Sequence, residues 1–294
     1  PLASFGAMQE LSKGKDTTTG HWEIAGIHMK DGFSLFPPSY PSFPETLINE
    51  FVRLTKRKVI GNYAASGTVI IQDLGREHME TGSWIVYTSA DSVMQIAAHE
   101  DIIPLEELYK GCKVARTLSN PLRIGRIIAR PFQGRNGAFI RTENRRDFSM
   151  PLPEQCILDK LIEKGIPVSS VGKIDDIFPD IQFNPRIHLE NNHDAERATI
   201  DLAHSFKNGL VFVNLIDFDM LFGHRRDPEG YAGALEQADS FLKELSSLTG
   251  HDDMIIVTAD HGNDPAFHGT DHTREFVPVL VHRKNHRSEN LGIR

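Results

Sequence analysis

From about Pro151 onward the chain alternates segments of helical period with short apolar runs, and this alternation restricts its fold more than any other feature. A helix is expected over Glu154 to Lys164, with apolar Ile157, Leu158, Leu161 and Ile162, followed by a strand over Pro167 to Val171. A second helix, capped by Asp194, runs to about Phe206 with Ala198, Leu202 and Phe206 on one face, and leads into the apolar run Leu210 to Ile216. A third covers about Tyr231 to Leu248, with Leu235, Ala238, Leu242 and Leu245 in register, and stops near Gly250 before the run Met254 to Val257. Strand and helix in succession predict a doubly wound α/β core with parallel strands.

Two of these runs end in the same way. Met254-Ile255-Ile256-Val257 passes into Thr258-Ala259-Asp260-His261-Gly262, and the Leu210 run breaks into Asp217-Phe218-Asp219, followed by Gly223-His224. A third element, Gly269 to Arg274, carries His272 and precedes a further strand, Val277 to His282. The carboxyl edge of a parallel sheet is where α/β proteins place their chemistry. Asp219, His224, Asp260, His261 and His272 are too many ligands for one four-coordinate ion that keeps a position open. Two divalent cations sharing the set fit better, and paired ions are a recurrent solution for displacement at phosphorus. His99, His193 and His268 lack such a context and read as surface or supporting residues.

Near the front lies Gly14-Lys15-Asp16-Thr17-Thr18-Thr19-Gly20-His21-Trp22-Glu23. The threonine cluster has two readings: a helix N-cap, or a hydroxyl nucleophile activated by a helix dipole and a cation.

The segment from about Lys30 to Arg146 differs in texture. A proline-rich entry, Phe33 to Pro41, leads into helices over Glu45 to Arg57 and Leu105 to Arg116, mixed with short strands over Lys58 to Ile60, Trp84 to Thr88, Arg126 to Ala129 and Ala138 to Thr142. An inserted α+β domain acting as a lid is expected. A net charge of −8 argues against nucleic acid as a partner. No run is long enough to span a membrane and no signal-peptide pattern is present, so a soluble cytoplasmic protein is expected. The two cysteines, Cys112 and Cys156, lie in segments that read as helical and suit a reducing compartment. Oligomeric state is not legible. The opening Pro1-Leu2-Ala3-Ser4 and the stop at Arg294, after a strand and a short polar loop, read as cut ends of a longer protein.

Several motifs, in order and over nearly the whole chain, resemble the phosphopentomutases of the alkaline phosphatase superfamily. They are Lys15-Asp16-Thr17 with Gly20-His21-Trp22-Glu23, Tyr87 to Val93, Arg126 to Pro131, Val171-Gly172-Lys173-Ile174, Asp217 to Asp227, and Thr258 to Thr273. Cofactor-independent phosphoglycerate mutases share the metal pattern but not the motifs of the insert. The resemblance implies an alkaline-phosphatase-like doubly wound core, 1–31 and 150–294, with an inserted α+β cap, 32–149. It also implies a missing N-terminal strand whose aspartate completes one metal site in the family.

On the same resemblance, Thr17 is the phosphorylated nucleophile and a metal ligand. Asp219, His224 and His272 hold one manganese ion, and Asp260 and His261, with Thr17, hold the other; magnesium or another divalent cation would suit the same donors. Ser89, Asp91, Val93, Arg126, Ile128 and Arg141 match the sugar-phosphate pocket, and Lys173 approaches from the core. Taken alone, Arg126 and Arg141 read equally well as strand-edge charges that discourage sheet pairing. The implied reaction interconverts ribose 1-phosphate, or its 2-deoxy analogue, with the 5-phosphate, and uses a sugar bisphosphate as primer. A metal-dependent phosphomonoesterase or phosphoglycerate mutase of the same superfamily, and a catalytically incomplete sugar-phosphate binder, are the alternatives.

Overall fold

The computed structural model describes residues 2–89, 92–135 and 138–294. It divides into two compact units, 1–32 with 151–294, and 33–150. The first unit opens with strand β1 (Ser4–Met8) and helix α1 (Thr17–Ile24). The second contains α2 (Glu45–Thr55), β2 (Val59–Ala64), α3 (Gly67–Thr81), β3 (Trp84–Thr88), β4 (Val93–His99), α4 (Leu105–Ser119), β5 (Arg126–Arg135), β6 (Ala138–Arg141) and β7 (Arg146–Ser149). The chain then returns to the first unit with α5 (Ile157–Glu163), β8 (Val168–Val171), α6 (Ile174–Ile177), β9 (Arg186–Ile187), α7 (Asn192–Ser205) and β10 (Leu210–Val213). It ends with α8 (Pro228–Leu248), β11 (Ile255–Val257), β12 (Val277–His282) and β13 (Asn290–Ile293).

In the first unit, β10, β8 and β9 form a parallel sheet in that order. The chain climbs from β8 through α7 to β10, and Ala195 and Leu202 of α7 pack on Val171. The cap of α7 is Asn191, whose side chain accepts from the Asp194 amide; the expected cap, Asp194, lies inside the first turn. The second sheet runs β11-β12-β1-β13. Here the expected parallel strand over Met254 to Val257 is antiparallel: β11 pairs with β12, and β12 with β1, in opposite directions. The reason is the connection from Thr258 to Phe276, which holds turns and one bridge, Gly262 to Thr273, but no helix to carry the chain back to the starting edge.

The second unit is one mixed sheet, β2-β3-β4-β5-β6, with β7 also paired to β5. Period-two alternation splits its residues between two faces. Trp84, Val86, Met94, Ile96, Ile127 and Ala129 pack with Phe43, Phe51 and Leu108 of the α2 and α4 side. Ile85, Tyr87, Ala97 and Phe132 pack with Ile70 and Ile71 of α3. His99, expected at a surface or supporting position, is 1% exposed; its Nε2 meets the Gly134 carbonyl at 2.8 Å and its backbone amide donates to His78.

Candidate metal centre

Helix α1 begins where Asp16 accepts hydrogen bonds from the Thr19 amide at 3.0 Å and the Thr19 hydroxyl at 2.6 Å. The cap is therefore Asp16, and the threonines occupy the first turn. Thr17 is the first helical residue, with its hydroxyl released from capping and 3.3 Å from His261 Nε2. The helix approaches the end of β11 so closely that a Cβ on Gly20 would overlap the Asp260 carbonyl.

A short π-helical turn, Phe218–Gly223, follows β10. Its wider winding, closed by the His224 amide on the Asp219 carbonyl at 2.9 Å, brings two residues five apart to one side. His224 Nε2 lies 3.3 Å from Asp219 Oδ2, and His272 Nε2 lies 3.2 Å from Asp219 Oδ1. The two Nε2 atoms are 3.2 Å apart. Ligand atoms of Asp219, His224 and His272 all fall within 4.8 Å of one another, a donor set suited to a divalent cation.

The other ring nitrogens are engaged. Nδ1 of His224 faces the Thr270 carbonyl at 2.7 Å, that of His272 the Lys15 carbonyl at 2.7 Å, and that of His261 the Gly262 carbonyl at 3.1 Å. A carbonyl at Nδ1 holds the proton there and leaves the Nε2 lone pair for a cation, the usual support of a metal-binding histidine. Asp260 Oδ2 lies 3.3 Å from His261 Nε2, and the His261 and His272 rings stack at 3.7 Å. The sequence thus delivers Thr17, Asp219, His224, Asp260, His261 and His272 to one locality of the first unit.

Burial raises the Asp260 carboxyl, but the charge and hydrogen bond of His21 and the charge of His261 more than offset it and hold the group at about 2. Burial, aided by the charge of His272, pushes His261 below its ordinary value and favours the neutral ring. His272 loses to burial but gains more from the hydrogen bond and charge of Asp219, and ends above its ordinary value. Ligation needs the neutral ring, so cation binding here should release a proton from His272 and tighten as pH rises through that raised value. Titration calorimetry in buffers of different ionisation heat tests this; an affinity that is flat between about pH 6 and 8 would place the cation elsewhere.

Sequence reasoning missed three residues. His21 is buried, with Nδ1 at 2.9 Å from the Thr17 carbonyl and 3.1 Å from Asp260 Oδ2. Asn263 donates to Asp219 Oδ1, and Arg226 donates to the carbonyls of Asp264, Gly269 and Asp271. All three stood inside noted motifs, Asn263 only two residues past His261, but nothing local marks their partners.

The remaining expected positions divide between the units. Lys173 is in the first, its Nζ 4.0 Å from Met220 Sδ beside Asp219. Ser89, Val93, Arg126, Ile128 and Arg141 are in the second. Val93 pairs with Arg126 across β4 and β5, and Ile128 with Gln95. Period two puts Val93, Arg126 and Ile128 on the face that also carries Tyr87. Arg126 lies 3.6 Å from Asp147. Arg141 pairs with Phe132, well along β5 from Arg126, and its guanidinium fills the space that a Cβ on Gly67 would take. Its Nε is buried with no hydrogen-bond partner among the described residues. Asp91 lies outside the described residues.

A family described as the Metalloenzyme superfamily matches residues 182–293. The chain is 51% identical over 296 residues to a phosphopentomutase of Alkaliphilus oremlandii (strain OhILAs), a match spanning 100% of this chain and 75% of that protein. It shows the same identity and coverage against a phosphopentomutase of Clostridium kluyveri (strain NBRC 12016). Among solved structures, the PH0037 protein from Pyrococcus horikoshii aligns over 99% of this chain and 84% of its own, with a TM-score of 0.52 at 13% identity, a likeness of fold alone. At 51% identity over its full length to phosphopentomutases of which it spans 75%, the chain belongs to the phosphopentomutase family.

Proposed function

We propose that the chain interconverts ribose 1-phosphate, or 2-deoxyribose 1-phosphate, with the corresponding 5-phosphate through a phosphothreonine at Thr17. The observation that carries this reading is the placement of the Thr17 hydroxyl at the N-terminus of α1 and 3.3 Å from His261 Nε2, beside the Asp219, His224 and His272 cluster. Two divalent cations, manganese by preference, would be held by Asp219, His224 and His272 and by Asp260, His261 and Thr17, and would supply positive charge to the transferring oxygens.

The chain's own groups account for the rest. The α1 N-terminus favours negative charge at Thr17, whether alkoxide or phosphate ester. Phospho-Thr17 gives its phosphoryl group to the free hydroxyl of a pentose phosphate: the bond to Thr17 Oγ1 breaks, a bond to the sugar oxygen forms, and the sugar hydroxyl loses its proton. The resulting bisphosphate returns its other phosphoryl group to Thr17 and takes up a proton, which releases the isomer. A sugar bisphosphate added from outside would prime an unphosphorylated enzyme by the second of these steps. Arg126 and Arg141, with Ser89, Asp91, Val93, Ile128 and Lys173, are assigned to the sugar phosphate; a guanidinium fork matches phosphate oxygens.

The placement of Arg141 makes this assignment testable. Gly67→Ala would drive a methyl group into its guanidinium, so KM for ribose 5-phosphate should rise on the order of tenfold while kcat falls less. Steady-state kinetics at saturating manganese measure both, and an unchanged KM would remove Arg141 from the pocket.

No helix among the described residues is long and apolar enough to cross a membrane. Cys112 and Cys156 are both buried free thiols, in keeping with a proposed cytoplasmic location. The reading as a whole is tested by phosphorus NMR of products from ribose 5-phosphate, manganese and a catalytic amount of glucose 1,6-bisphosphate. A ribose 1-phosphate signal is expected. Inorganic phosphate alone would make the protein a hydrolase, and binding without turnover would make it a sugar-phosphate binder.

A further inference from the structure

The motif Gly20-His21-Trp22-Glu23 contains an acid that the proposed chemistry does not use. Glu23 sits near the end of α1, yet its carboxylate turns back to the loop that precedes the helix. Oε1 accepts from the Leu11 amide and Oε2 from the Ser12 amide, each at 2.7 Å. Burial raises this carboxyl, and the two amides together with the Ser12 hydroxyl overcome that and bring it below its ordinary value. The same loop is held from the other side by Arg274, two residues past His272. Its guanidinium donates to the Ser12 carbonyl and, at 3.2 Å, to the Gly14 carbonyl, while Nη1 pairs with Glu10 Oε2 at 3.2 Å.

These contacts form a strap. Lys13 adds a backbone bond to the Met29 carbonyl at 3.2 Å, and the Ser12 hydroxyl accepts from the Met29 amide at 3.0 Å. Beyond the loop, Lys15 and His272 are tied reciprocally: Lys15 Nζ donates to the His272 carbonyl at 2.7 Å, and His272 Nδ1 meets the Lys15 carbonyl at 2.7 Å. At the far end Trp22, fully buried, donates from Nε1 to the Ile177 carbonyl at 3.0 Å and anchors α1. Amides facing one carboxylate and carbonyls facing one guanidinium fix the path of a short loop from both sides. The residues that follow are Asp16, which caps α1, and Thr17.

We infer that Glu23 and Arg274 are positioning residues that strap the Glu10–Gly14 loop and so set the Thr17 hydroxyl against His261. The inference rests on the reading of Thr17 as the phosphorylated residue. Neither side chain touches the reacting atoms in this account. A misplacement of about 1 Å at a nucleophile costs up to about 100-fold in rate, so a loop whose only errand is alignment can carry a large share of kcat.

Glu23→Gln keeps the shape but presents one amide nitrogen to a backbone N–H, so one of the two bonds is lost and donor faces donor. The expected result is a roughly 10- to 100-fold slower appearance of phosphothreonine at Thr17 from glucose 1,6-bisphosphate, followed by mass spectrometry, with KM for ribose 5-phosphate unchanged. Amide exchange at Leu11, Ser12 and Lys13 should accelerate in the same variant. Arg274→Lys, which keeps the charge and loses the fork, should show the same split of kcat from KM. A Glu23→Gln protein that phosphorylates Thr17 within about twofold of the parent rate while those amides exchange faster would overturn the inference and leave the strap purely structural. A parent protein that takes up no phosphate at Thr17 would overturn the underlying reading instead, and the strap's purpose with it.

Discussion

Thr17→Ala is expected to abolish phosphoprotein formation and to lower the mutase rate by about 10³-fold or more, the scale on which loss of a covalent nucleophile is felt. The substitution is favourable for a clean test because Thr17 makes no capping bond. Asp16 supplies the cap through Thr19, and alanine is a good helix former at the first position of α1. Unfolding free energy should therefore stay within about 0.5 kcal/mol of the parent. Thr17→Ser, which restores a hydroxyl, should recover part of the rate. Phosphorus NMR of products, with mass spectrometry of the protein, reads both; a Thr17→Ala protein at full rate would end the phosphothreonine reading.

Asp219→Asn is expected to weaken manganese binding by more than the roughly 10- to 100-fold that loss of a supporting partner costs, and to take the mutase activity with it. Asp219 is the acid nearest both His224 and His272, with an oxygen within 3.3 Å of each. Burial raises its carboxyl, but the hydrogen bond and charge of His272, with His261 and Asn263, bring it below its ordinary value. The amide would remove the one negative charge of the trio and also the interaction that lifts His272, so the proton released on metal uptake at neutral pH should shrink as well. Calorimetry measures both quantities. An affinity within about threefold of the parent would mean that other residues hold the ion.

What the sequence revealed and what it hid separate along physical lines. Asp219 with His224, and Asp260 with His261, were legible because strand, acid and histidine follow one another within a few residues. His21 was not, since the carboxylate it meets belongs to Asp260, far along the chain. The π-helical turn at Phe218–Gly223 was invisible to a 3.6-residue period, though it is what lets Asp219 and His224 converge. Helix α3 was hidden by its glycines, which weaken helix propensity; Gly75 is there because a Cβ would strike the Phe139 ring. Strand β4 contains Gln95, Ala97 and Ala98, poor strand formers in isolation, and owes its state to burial on both faces. At the end of the chain a polar loop was expected where β13 runs parallel to β1, joined by backbone bonds such as Arg294 N to the Ala7 carbonyl at 2.9 Å. The only apolar residues of β13 are Leu291 and Ile293, too few after the polar run from Arg283 to Asn290 to mark a strand by pattern.

The contact between Thr17 and His261 closes a span of 244 residues, with the whole second unit threaded inside it. Contacts across so long a span are slow to close, so the pairing is expected among the later events of folding. A chain with most of its secondary structure in place can still lack any assembled centre. A cation that recognises only the assembled centre adds stability in proportion to RT ln(1 + [L]/Kd) and selects the fully closed chain over its nearly folded precursors. Metal retention during dilution from urea would then report completion of the fold, a quantity that circular dichroism, which sees helices and strands already formed, does not resolve.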